Sequence, residues 1–187
     1  MSGLSIAQCF PSICTKEPQQ TLNWLVSEIP LEEQMNMMKL NCDAIIALSH
    51  AYLQNAHQGD SLINIGSVLG STSLSGLAVY TGTKGFIVRF SESLWHEYKK
   101  RGIYVCVFSP GVTSSNFYKA VKSDVDVYPK AIQQTPEQVA KELSKALHQR
   151  SKPHIVSGFM NRSMLFFYRL LTRKAIVNMM GGFSTVK

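Results

Sequence analysis

Apolar residues recur along this chain with two periods, and the periods divide it into alternating helices and strands. Pro30 with Glu32 and Glu33 suits a helix start, because proline fits the first turn and carboxylates favour the positive end of the helix dipole. Met35, Met38, Ile45, Leu48 and Tyr52 continue that helix at helical spacing until Gly59-Asp60 breaks it. Residues 61–66 form a short apolar strand, followed by a Ser/Gly-rich loop over residues 70–76. A second long helix spans residues 79–101 and is closed by Gly102. Residues 103–108 are almost uninterruptedly apolar, the pattern of a strand in a parallel sheet covered on both faces. Residues 109–135 read as a long loop region. Thr135-Pro136-Glu137 then opens a third helix to about Gln149, with Thr135 as N-cap and Pro136 at the first position. Residues 154–157 form a third strand. Residues 1–29 are ambiguous apart from a short helix around residues 22–26, and no internal repeat is visible.

Strands alternating with helices predict parallel strands joined by right-handed crossovers. The fold class is therefore α/β, a partial, Rossmann-like, doubly wound parallel sheet. Ligands in such sheets bind beyond the carboxyl ends of the strands, where Ser67 and Pro110-Gly111 fall. With no strand read upstream, the strand at residues 61–66 is expected to present an open edge.

Composition narrows the class. A chain of 187 residues with 45% hydrophobic and 17% charged residues suits one globular domain. Cys42 and Cys106 lie in apolar stretches and read as buried thiols; Cys9 and Cys14 are close enough in sequence to pair. No zinc-type spacing exists, the five histidines are too scattered for a metal site, and no metal is expected. The N-terminus lacks a basic segment followed by a sustained apolar run, so a cytoplasmic location is the expectation. Charge is uneven: 8 of the 19 Lys and Arg residues, and none of the 12 acidic residues, lie in residues 143–187. The remainder is nearly neutral, which gives nucleic-acid binding no support.

The candidate chemistry lies in Ile63-Asn64-Ile65-Gly66-Ser67 and Tyr80-Thr81-Gly82-Thr83-Lys84. Tyr80 and Lys84 stand at i and i+4, so a helix places them on one face. A tyrosine ordinarily titrates near pH ~10, and a neighbouring ammonium is expected to pull that value down toward usefulness as a general acid or base. Ser67, ending a strand, can donate a hydrogen bond to the same substrate oxygen. A tyrosine and lysine at this spacing are a weak signal alone, since Tyr118 and Lys122 repeat it. The serine upstream of Tyr80 separates the two pairs.

From about Leu31 to Gly158 the chain resembles the C-terminal two-thirds of a short-chain dehydrogenase/reductase, through Lys39-Leu40-Asn41, Asn64-Ile65-Gly66-Ser67, Tyr80 with Lys84, and Ser109-Pro110-Gly111. That resemblance implies an oxidoreductase interconverting an alcohol and a carbonyl with NAD or NADP. It implies a catalytic set of Asn41, Ser67, Tyr80 and Lys84. Tyr80 would exchange the proton, Ser67 orient the carbonyl, Lys84 tune Tyr80 and hold the nicotinamide ribose, and Asn41 hold a water through its main chain. It also implies cofactor contacts from Tyr80, Lys84, Pro110, Gly111, Val112 and Ser115. A substrate-covering lid would follow Gly111, where Phe117, Tyr118 and Val121 either line a cavity or pack locally. Phe86, Phe90, Leu94 and Trp95 would serve as core or as part of a homo-oligomer interface.

The departures from the family are equally plain. No glycine-rich phosphate turn precedes Leu31, no Asn-Asn-Ala-Gly element precedes Asn41, and the residue that selects NAD or NADP is missing. The expected organisation is an unmatched segment (1–29), a catalytic half-domain (30–158) and a basic tail (159–187), in a chain truncated on its N-terminal side. An alternative to the enzyme is an inactive remnant acting as a dimerising or interaction module. In the tail, Arg162, Arg169 and Arg173 would share one helix face beside Phe166, Phe167, Leu170 and Leu171. A helix docked on the protein or on a partner subunit, and a peripheral contact with a membrane surface, both suit that pattern.

Overall fold

The structure, a computed structural model, describes the backbone of residues 4–7 and the whole of residues 25–114 and 128–182. Cys9, Cys14, Ser115, Phe117, Tyr118, Val121 and Lys122 lie outside the described residues.

Four parallel strands form one sheet in the order β1 (Leu4–Ala7), β2 (Ser61–Ile65), β3 (Tyr104–Ser109), β4 (His154–Val156). Leu4 stands opposite Ser61, Ser61 opposite Tyr104, and Val107 opposite His154. The expected open edge on β2 is thus corrected: Leu4–Ala7 pairs with it along four residues. The segment is too short for its period to be read from sequence, and the pairing is a tertiary one.

Between β1 and β2 lie α1 (Leu31–Met38), a π-helical turn (Lys39–Asp43) and α2 (Ala44–Asn55). Next come α3 (Ala78–Tyr98) before β3 and α4 (Pro136–Gln149) before β4. The chain continues in α5 (Phe159–Tyr168) and α6 (Arg173–Gly181). Their ends follow local chemistry. Thr135 Oγ1 accepts from the Gln138 N–H while Gln138 Oε1 accepts from the Thr135 N–H, a reciprocal cap on α4. Gly102, at φ +68°, ends the helical run after Arg101 in a left-handed conformation that glycine adopts without strain.

Strand alternation divides the core. Leu62, Val105 and Val107 turn to one face and pack with Leu53 of α2 and with Ile87, Val88 and Leu94 of α3. Ile63, Ile65, Cys106 and Phe108 turn to the other and meet Val139, Leu143 and Leu147 of α4. Burying each such side chain stabilises the fold by about 1.5–3 kcal/mol. Among the residues read as core or interface, Leu94 is buried, and Phe86, Phe90 and Trp95 are half-buried against these clusters. Cys42 and Cys106 are buried free thiols.

This layering corrects the expected handedness. The β2–α3–β3 and β3–α4–β4 connections step the same way across the sheet but run over opposite faces. They therefore have opposite hand, and the two crossovers cannot both be right-handed. The long connection between β3 and α4 gives the chain enough length to change faces.

The π turn corrects the first helix. Ala44 N–H bonds to the Lys39 carbonyl five residues back, which widens the turn. The inward face runs Gln34, Met37, Asn41, Ile45, Ser49 and Leu53, so Met35, Met38 and Leu48 point outward instead of joining Ile45. The arginines of the tail are also redistributed. Arg162 lies in α5, Arg169 just past its end and Arg173 in α6, because the helix breaks at residues 169–172.

Candidate active site

Ser67 follows β2 directly and caps a 3-10 turn (Val68–Ser71), its Oγ accepting from the Leu69 N–H at 3.2 Å. The main chain on either side is tied to the end of β3: Gly66 N–H donates to the Phe108 carbonyl at 2.8 Å, and Val68 N–H donates to the Pro110 carbonyl at 3.0 Å. The two strand ends therefore form one rim, with Ser67 and Pro110-Gly111 side by side. Packing enforces this. A Cβ on Gly66 would meet Ser109 Oγ and Val107 Cγ2 at 2.8 Å each, and one on Gly70 would meet the Lys84 carbonyl at 2.6 Å. The serine turn thus seats directly on α3.

That seating brings the α3 residues to Ser67. Tyr80 lies in the first turn of α3, with its phenol within hydrogen-bonding reach of the Ser67 side chain. Lys84, one turn on, is only 7% exposed. Its ammonium lies 5.8 Å from the centre of the Tyr80 ring and donates to the Ile65 carbonyl at 3.4 Å. Asn41 joins from the π turn: its Nδ2 donates to Thr83 Oγ1 at 3.2 Å, and Thr83 Oγ1 donates to the Tyr80 carbonyl at 2.8 Å. Asn41 Oδ1 is a buried acceptor with no donor among the described residues. A π turn and an orphaned polar atom at one residue are features that accompany functional sites.

The electrostatics differ from expectation. Burial pushes the Tyr80 phenol above its ordinary value; the Ser67 hydrogen bond pulls it down, and the nearby Tyr128 phenol raises it further. The net lowering expected from Lys84 does not occur in this geometry. The ammonium sits over the ring face and is directed to a backbone carbonyl, while loss of water disfavours phenolate. The phenol is accordingly held as a proton donor at neutral pH.

The Pro110-Gly111-Val112 turn is fixed from two sides. Val112 accepts from the Gln134 N–H at 2.9 Å, and Ser114 N–H donates to the Gln134 carbonyl at 2.8 Å. Asn161 of α5, buried, bears directly on Gly111, leaving no room for a Cβ there. Asn161 Nδ2 donates to the Ser157 carbonyl at 2.8 Å, and Ser157 Oγ donates to Gln134 Oε1 at 2.8 Å. Asn161, Gln134, Thr83 and Tyr128 thus belong to the site or its frame, and sequence reasoning passed over all four. None carries a motif spacing. The only signal for Thr83 was its place between Tyr80 and Lys84.

The structure therefore brings Asn41, Ser67, Tyr80 and Lys84 together with Pro110, Gly111 and Val112 at the carboxyl edge of the sheet. Residues 22–126 match the family described as short chain dehydrogenase. The chain belongs to the short chain dehydrogenase family. The match begins upstream of Leu31, where the motifs start. Curated relatives include the 3-oxoacyl-(acyl-carrier-protein) reductase FabG of Haemophilus influenzae, 35% identical over 95 residues that make up 50% of this chain and 39% of that protein. The human 3-oxoacyl-(acyl-carrier-protein) reductase is 37% identical over 67 residues, 36% of this chain and 28% of that one. The matched part thus spans well under half of these relatives. Among solved structures, a 7beta-hydroxysteroid dehydrogenase shares the fold with a TM-score of 0.75 at 19% identity, covering 95% of this chain and 66% of that chain. A short-chain dehydrogenase from Sphingobium yanoikuyae, solved with NADPH, gives 0.67 at 21% identity over 90% of this chain and 63% of that one.

The residues of this short chain dehydrogenase fit one end of a nicotinamide cofactor. Tyr80, Lys84 and the Pro110–Val112 turn converge on one rim, and Asn41 Oδ1 is a buried acceptor beside it. No glycine-rich strand–turn–helix for a pyrophosphate occurs among the described residues.

Proposed function

We propose that this short chain dehydrogenase is an NAD(P)-dependent oxidoreductase that interconverts an alcohol and a carbonyl on a small molecule. The observation that carries the reading is the joint placement of Ser67, Tyr80 and Lys84 at the carboxyl edge of β2, against the Pro110 turn. The nicotinamide, when bound, supplies or accepts the hydride. Tyr80 donates its phenolic proton to the carbonyl oxygen in reduction and takes it back in oxidation. Ser67 donates a hydrogen bond to that oxygen as negative charge develops. Lys84, its ammonium 5.8 Å from the centre of the Tyr80 ring, would hold the ribose hydroxyls. Asn41, pinned by Thr83, offers its carbonyl as the anchor for a proton path away from the site. The relatives named as reductases and the structure solved with NADPH favour reduction, and so does a phenol that stays protonated at neutral pH.

The test is Tyr80→Phe in a NAD(P)H-coupled assay against a panel of small ketones and β-keto esters. The expected result is a fall in kcat of about 10²–10⁴-fold with NAD(P)H binding retained, the range typical of losing a general acid. Equal turnover in the variant would overturn the assignment of Tyr80. If fluorescence titration finds no NAD(P)H binding to the whole chain, the interaction-module reading takes its place.

The same reading includes a homo-oligomer. Leu31, Met35 and Met38 form an outward apolar stripe on α1, at offsets of four and three residues, and all are exposed. Buried free thiols in Cys42 and Cys106 suit a reducing, cytoplasmic setting.

A further inference from the structure

Beyond β4 the chain forms an elbow, α5 and α6, whose two sides differ sharply. The inner side is fastened to the protein. Asn161 is buried against Gly111, Met164, Leu165 and Tyr168 are half-buried, and Ile176 and Met180 of α6 are buried. Tyr168 OH bonds to Met180 Sδ at 3.0 Å, locking one helix against the other, and Arg173 reaches Ser73 Oγ at 3.2 Å.

The outer side has the opposite character. Phe159, Phe166 and Leu170 follow at offsets of seven and four residues, and they are 73%, 58% and 71% exposed. Met160, Phe167 and Leu171 repeat the same offsets one position on and are also exposed. Phe159, Met160, Phe166 and Phe167 share one side of α5, and Leu170 and Leu171 follow in the turn that leads to α6. Arg162 lies on α5, Arg169 just past its end, and Arg173 and Lys174 in the first turn of α6, all exposed. No acidic residue occurs anywhere in residues 143–187. Arg162 alone has a carboxylate at hand, Glu142 of α4 at 3.1 Å.

We propose that the outer face of α5 and α6 docks on an anionic phospholipid surface. Exposed aromatic and aliphatic side chains interleaved with cations, on a helix too short and too charged to span a bilayer, are what an interfacial helix requires; no helix among the described residues is long and apolar enough to cross a membrane. The exposed apolar side chains enter the boundary between headgroups and acyl chains, and Arg169 and Lys174 meet the lipid phosphates. Charge decides against a second copy of this chain as the occupant. A two-fold contact would bring Arg169 and Lys174 of both copies onto one surface to which residues 143–187 contribute no carboxylate. Docking through this face does not depend on the redox reading.

The experiment is co-sedimentation of the full chain with phosphatidylcholine vesicles, with and without phosphatidylserine. Binding is expected only with the anionic lipid and is expected to weaken as salt is raised. Phe166→Ser/Phe167→Ser/Leu170→Ser should weaken binding roughly 100-fold, from three large apolar side chains no longer buried. Arg169→Glu/Lys174→Glu should abolish the preference for phosphatidylserine. These positions are exposed, and circular dichroism checks that both variants fold. Absence of binding to the anionic vesicles overturns the proposal. So does binding that the triple variant leaves unchanged, and so does conversion of an oligomer to a monomer by that variant in sedimentation velocity, which would give the face to a second copy.

Discussion

At the scale of single residues, Thr83 carries more of the site than its neighbours in sequence suggest. One hydroxyl accepts from Asn41 and donates to the carbonyl of Tyr80, coupling the π turn to the first turn of α3. Thr83→Val keeps the shape and removes both bonds, leaving Asn41 with a second unsatisfied buried group. Urea denaturation should show a loss of about 1–3 kcal/mol, the usual cost of such an orphan; Thr83→Ser should recover most of it. Tyr128 makes a different prediction. Its phenol raises the proton affinity of Tyr80, so Tyr128→Phe should lower it. In the proposed reaction alcohol oxidation would require the phenolate and rise with pH, and the rising limb should move to lower pH in the variant. An unchanged pH profile would remove Tyr128 from the site. Tyr80 and Lys84 could be read from sequence because one helical turn separates them. Thr83, Tyr128 and Asn161 could not, because each acts across distances that only the folded chain creates.

Elements meet the site through close approaches that tolerate no added atoms. Asn161 of α5 fills the space above Gly111, so that a helix in the C-terminal region fixes the turn after β3. Gly111→Ala should destabilise the fold by about 1–3 kcal/mol, the range for overpacking. The loss should shrink in an Asn161→Ala background, and a double-mutant cycle by chemical denaturation measures that coupling. The long helices, β2, β3, β4 and the cap at Thr135 were all legible, since their periods and capping residues are local. The π turn was not. It widens the helix by one residue to place Asn41 inward, whereas the hydrophobic pattern alone set Met35 and Met38 in one helical series with Ile45.

The whole molecule is a parallel sheet with α2 and α3 on one face and α4 on the other. Its fold class followed from the alternation of periods. Two features did not: the partner of β2, a four-residue strand with no period of its own, and the hand of the last crossover, which no local pattern encodes. The outward stripe on α1 makes a prediction at this scale. Met35→Glu should shift the protein toward monomer in size-exclusion chromatography with light scattering, because a carboxylate cannot be buried there unpaired. Equal mass for parent and variant would assign the stripe elsewhere.

The change of face between β3 and α4 has an evolutionary consequence. Gln134, just before α4, bonds to Val112 and Ser114, just after β3, so both ends of their connection lie at the rim where Ser67 and Tyr80 stand. Insertions or deletions between those two ends would start and finish beside the site while every strand kept its register. Under the proposed function, diversification of substrate choice would thereby be separated from the stability of the scaffold, and swapping this connection between relatives should transfer preference without refolding the sheet.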